Sequence, residues 1–262
     1  MTDAPTTSTH APDPQTGAST ATADATSPRG LLIPRGLVML SAGWIFACWV
    51  YLFGFHPPVQ PQAASYGPSI HLLFILMGVG IAIGWPLLRL SGRPSSVPVA
   101  QAALDAVSVF VLIQVVVWPL RLVTSWTLPR TIVVDSAIAA AIAMSAALLA
   151  VTQGSTRARV RWSAMACAVL VVLLPWMLDA LWVGSGGTAY GPLGGFLRDT
   201  LEAGSAPALL ARFSEPATLD PTDADRALAA RAIALALVAW IAVGAARVRP
   251  GAAGLRNSPA KR

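Results

Sequence analysis

The stretch VPVAQAALDAVSVFVLIQVVVW, residues 97–118, decides the fold class. Its 22 positions hold a single charged side chain, Asp105. An α-helix rises 1.5 Å per residue, so such a segment reaches about 33 Å and matches a hydrocarbon core of about 30 Å. A backbone in that core must satisfy its N–H and C=O groups internally, which a helix does. The stretch reads as a transmembrane helix.

Five further segments of the same kind lie on either side, giving expected helices at about 37–54, 70–90, 97–118, 131–151, 162–183 and 226–247. The whole chain agrees: of 262 residues 55% are hydrophobic, 11% are charged, and the mean hydropathy is +0.63. A soluble domain carries roughly 25% charged residues. The expected fold is therefore all-α, a polytopic membrane bundle of six transmembrane helices over residues 31–248. Residues 1–30, rich in Thr, Ala, Pro and Asp, read as a disordered tail, and 249–262 as a basic one.

The formal charge of +6 does not point to nucleic acid, because the basic residues cluster at the ends of the apolar runs. One set of connections holds Arg29, Arg35, Arg89, Arg93, Arg157, Arg159, Arg161, Arg247, Arg249, Arg256, Lys261 and Arg262. The other holds Arg121, Arg130, Arg198, Arg212, Arg226 and Arg231. The positive-inside rule then places both termini in the cytoplasm and residues 184–225 in an outer loop. Within that loop FLRDTLEAG and PALLARF read as short helices, and Asp220 or Thr222 as the cap of the last long helix. The Ala- and Arg-rich, Lys-poor usage is that of a GC-rich bacterial genome, so the expected location is the cytoplasmic membrane.

Few polar residues remain to carry chemistry. Asp105 shares a helix face with Gln101 at i−4 and Ser108 at i+3. A carboxylate at that depth needs a partner or a water-filled path, so the trio is the candidate transport or polar-network site. Gln114 falls on the opposite face of the same helix. Asp135 and Asp179 sit near the outer ends of their helices with Arg121, Arg130, Arg226 and Arg231 at the same level, candidates for outer-rim ion pairs. Gly80 and Gly84 form GxxxG, a helix-packing motif. His56 and His71 flank a proline-rich connection at the outer rim, where packing or loop docking is expected rather than haem or metal.

No HExxH, CxxC or phosphate-binding loop is present. Cys48 and Cys167 lie at different depths, a poor arrangement for a disulfide or zinc. Neither metal nor cofactor is expected, and the partners expected are the lipid bilayer and a second copy or another membrane protein. The leading expectation is a permease-like protein or membrane subunit moving a small solute or proton. The alternative is a non-catalytic scaffold binding partners through the 184–225 loop. A membrane-embedded enzyme with an outer-rim site, using residues such as His71, Asp179 and Tyr190, stands third.

Overall fold

The computed structural model describes residues 35–55, 66–92, 94–124, 126–184, 192–214 and 220–248. The two expected tails, His56 and Tyr190 lie outside them. Every regular element among the described residues is helical. Helix α1 is Arg35–Trp49 and runs on as a π-helical turn, Val50–Phe55. Helix α2, Gly67–Val79, continues through a π-helical turn, Gly80–Gly84, into α3, Trp85–Ser91. Then follow α4, Pro98–Thr124; α5, Leu128–Thr152; α6, Ala158–Gly184; α7, Pro192–Gly204; α8, Ala206–Ser214; and α9, Asp223–Val248.

Five helices are long and apolar enough to cross a membrane: Gly67–Ser91, which joins α2 to α3, with α4, α5, α6 and α9. They make this a multi-pass membrane protein. The first expected span is a 15-residue apolar helix in its α-helical part. The wide turn before Trp85 has a local cause. Pro86 lacks an N–H, and in a regular helix its ring would strike the carbonyl four residues back. The π-helical turn sends the Trp85 N–H to the Gly80 carbonyl instead.

Helices α5 and α9 form the most extensive packing. Trp240 Nε1 donates to the Ala143 carbonyl at 3.0 Å, and Arg247 Nη2 to the Ala150 carbonyl at 3.1 Å. Both pairs are 97 residues apart, so the two helices run parallel in constant register. Small residues make this close approach feasible. Ala137 and Ala141 are buried, and Ser145 with them, which assigns that small-residue line of α5 to internal packing. Helix α9 starts with a capping box. Thr222 Oγ1 accepts from the Asp225 N–H at 3.1 Å, and Asp225 Oδ2 accepts from the Thr222 N–H at 2.9 Å. Of the two expected caps, Thr222 is the one used.

The 184–225 segment differs from a simple outer loop. Both expected short helices exist, as α7 and α8, but α8 is inside the bundle. All of its residues except Arg212 are buried. It lies along α2, the first half of the span Gly67–Ser91, with opposite direction. His71 Nδ1 meets Ser214 Oγ at 2.8 Å, and Gly78 meets Pro207. The step is seven residues on each helix, about 10 Å. The tip between α7 and α8 also reaches α6, where Ser205 Oγ donates to the Val172 carbonyl at 3.4 Å. Gly78 and Val172 are near the midpoints of the spans Gly67–Ser91 and Ala158–Gly184. The α7–α8 pair is thus a helical hairpin that enters from the His71 end and turns back about halfway through the bundle.

Sequence signals for this turn exist. Gly204 ends α7, the Ser205 carbonyl accepts the first α8 bond from Leu209 N–H at 2.9 Å, and Pro207 occupies the first turn of α8, where no donor is lost. Ala203, Ala206, Leu209, Leu210 and Phe213 then bury their side chains.

Candidate functional site

Two polar centres emerge, one near each end of the bundle. The first is Asp105, fully buried on α4. Arg89, from the last turn of α3, donates through Nε to Asp105 Oδ2 and through Nη2 to Asp105 Oδ1. Gln101 Nε2 donates to Asp105 Oδ1 at 2.9 Å. The carboxylate thereby has a two-pronged guanidinium partner and an amide donor, the strongest pairing available to it. Ser108, the third member expected, does not join. Its hydroxyl donates to the Leu104 carbonyl of its own helix at 2.8 Å. Arg89 entered the sequence reading only as an orientation charge, because nothing in the spacing from 89 to 105 tells that α3 and α4 bring the two together.

The second centre surrounds the hairpin. Helix α7 has two unlike faces. Phe196 and Leu197 point outward and are exposed, while Arg198, Asp199 and Glu202 turn to α6, α8 and α9. Arg198 Nε lies 3.4 Å from Asp179 Oδ1 on α6 and donates to Glu202 Oε1 at 3.1 Å. Arg231 Nη1 on α9 lies 2.8 Å from Asp199 Oδ2. Arg231 also stacks over the Phe196 ring, 5.5 Å from its centroid. These groups line a cavity of about 370 Å³ whose wall holds six charged side chains: Asp179, Arg198, Asp199, Glu202, Arg212 and Arg231. Burial raises the Glu202 carboxyl above the ordinary glutamate range, opposed in part by Arg198 and Arg212.

The rim residues sort differently from the simple expectation. Asp179 pairs, but with Arg198 of α7. Arg231 also pairs, but with Asp199. Among the described residues Arg226 pairs with Asp223 in its own first turn, at 3.4 Å. Arg121 Nε donates to the Trp126 carbonyl at 3.4 Å and makes no ion pair among the described residues. Asp135 makes none either. It lies beside Gln114 of α4, and both leave buried polar atoms without a hydrogen-bond partner. Arg130, one of the arginines expected at this level, is buried and holds this end together, with Asp225 rather than Asp135 or Asp179 as its acidic partner. Its Nη2 donates to the Phe213 carbonyl of α8 at 2.9 Å, and its Nη1 lies 3.7 Å from Asp225 of α9.

The glycines also redistribute. Added side-chain carbon at Gly84 would meet open space, and at Gly80 it would meet the Trp44 ring at 3.1 Å. Gly78 is the position of closest backbone approach. A Cβ there would lie 2.6 Å from Pro207 Cα. His71 has the docking role expected of it. The Ser214 hydroxyl donates to the Ala211 carbonyl at 2.8 Å, so it accepts from His71, which is then protonated at Nδ1.

No known protein family, curated protein or solved structure matches this chain.

Proposed function

We propose that this chain is a permease-like protein of the cytoplasmic membrane that moves a small polar solute. In this reading it crosses the bilayer six times with both termini inside, and α1 with its π-helical extension is the first crossing. The solute's way lies beside the α7–α8 hairpin rather than at Asp105. One observation carries the reading: α7 turns Arg198, Asp199 and Glu202 to an open cavity among α6, α8 and α9, while its Phe196 and Leu197 are exposed. Charged side chains and broken helices at membrane depth are tolerated where they line water or are buried in protein. Secondary transporters likewise hold their solutes where the ends of short helices meet inside the bundle.

Asp105 suits this role less well, because Arg89 and Gln101 already engage it. A scaffold acting through the 184–225 segment loses ground too, because Ala206–Ser214 is packed inside the bundle.

Counterflow tests the reading. Proteoliposomes loaded with a mixture of amino acids, amines, carboxylates and sugars should take up at least one labelled member of the mixture. Uptake should fall in Glu202→Gln. Absence of exchange for every member would sink the permease reading.

A further inference from the structure

The hairpin cavity has a charge pattern that selects among solutes. Its three carboxylates, Asp179, Asp199 and Glu202, are matched by three guanidinium groups, Arg198, Arg212 and Arg231. A purely anionic or purely cationic ligand would satisfy one sign here and face repulsion from the other. A ligand with separate positive and negative ends meets both. Trp176 of α6 also lines the cavity and offers an aromatic face for an ammonium group. The volume, about 370 Å³, falls at the lower end of small-molecule sites.

We propose that this cavity binds a small zwitterion of the amino-acid class. Its carboxylate is received by the guanidinium groups of Arg198 and Arg212 on the α7–α8 side, and its ammonium by Asp179 and Glu202 beside Trp176. Guanidinium is suited to the first task because its planar fork matches a carboxylate. The ligand enters by exchanging with ion pairs that already exist between the helices, such as Arg198 with Asp179 and with Glu202. Occupancy therefore draws α6 and α7 together through the ligand rather than through direct contacts. The inference deepens the permease reading by naming the substrate class, but binding can be tested without transport.

The test uses the full chain in lipid nanodiscs, with Cys48 and Cys167 replaced by alanine and a reporter, Ala227→Cys, on the exposed α9 wall of the cavity. The rate of its modification by a charged thiol reagent is measured against six additives. Glycine is compared with acetate and methylammonium, and 4-aminobutyrate with butyrate and butylammonium. At least one zwitterion should protect the cysteine at concentrations about tenfold below either of its single-charge counterparts, the scale expected for losing a charged hydrogen bond. Arg212→Gln and Glu202→Gln should each raise the protecting concentration by about tenfold or more. If neither zwitterion outperforms its counterparts, the inference is overturned, and that comparison needs no altered charge. Zwitterion protection without counterflow would leave the binding site standing and remove the permease reading. Counterflow of a singly charged or neutral solute, with no zwitterion protection, would do the reverse.

Discussion

Gly78 on α2 and Pro207 on α8 touch backbone to backbone, and a single added carbon at Gly78 would stand 2.6 Å from the Pro207 Cα. This contact seats the hairpin tip. Proline at the start of α8 costs no hydrogen bond, and glycine on α2 removes the side chain that would hold the two helices apart. The tip can therefore lie against α2 at mid-bundle depth.

Gly78→Ala should consequently destabilise the protein by about 1–3 kcal/mol, the usual cost of overpacking. Backbone, not a flexible side chain, is what the new carbon meets. Gly84→Ala is the control, since that position faces open space. Thermal unfolding in detergent reads both; equal melting temperatures for the two variants would contradict the seating role.

Asp105→Ala should cost about 3–5 kcal/mol, because it leaves Arg89 without its acceptor. Replacing the pair together, Arg89→Met with Asp105→Leu, should recover most of that loss, since a buried ion pair and an apolar pair of similar volume are often close in stability. A double variant as unstable as the single one would mean that Asp105 contributes something other than this pairing.

Glu202 makes a pH prediction with a definite sign. Its folded carboxyl titrates above the ordinary glutamate value because of burial. Between the ordinary value and the raised one, the folded state binds more protons than the unfolded state, so stability falls as pH rises through that window. Below the window, the contribution is fully present. Melting temperature should decline across it in the wild type, and the Glu202→Gln variant should lack that part of the decline. An unchanged profile in the variant would place the raised titration elsewhere.

The α9 wall of the cavity and the apolar side of α7 predict opposite thiol chemistry. In a background without native cysteines, Ala227→Cys on the cavity wall should react with a membrane-impermeant reagent in nanodiscs. Leu197→Cys on the outward apolar face should react far more slowly while reacting with a lipid-soluble one. Similar rates at the two positions would deny that the cavity is wet and the outer face covered by lipid.

The hairpin's membership of the bundle depends on specific long-range contacts rather than on composition. His71 to Ser214 spans 143 residues, and Arg130 to the Phe213 carbonyl spans 83. By composition alone, FLRDTLEAG is a charged amphipathic segment of the sort found on a surface. It is amphipathic, and its charged face turns to α6, α8 and α9.

By itself the sequence determined the class: apolar runs of spanning length, with scarce charge, leave helices in a membrane as the economical solution, local capping chemistry marked the start of α9, and two short helical segments were legible before it. It also singled out Asp105 and its i−4 partner Gln101, because helical periodicity is local. Only the tertiary structure decided that Arg89 answers Asp105, that Gly78 rather than Gly84 is the close contact, and that Asp179 and Arg231 find their partners on α7. Each of these depends on which helix faces which. Helices of similar apolarity can pack in several orders in lipid, where the hydrophobic effect does not choose among them, so the choice falls to small residues and polar pairs distant in the chain.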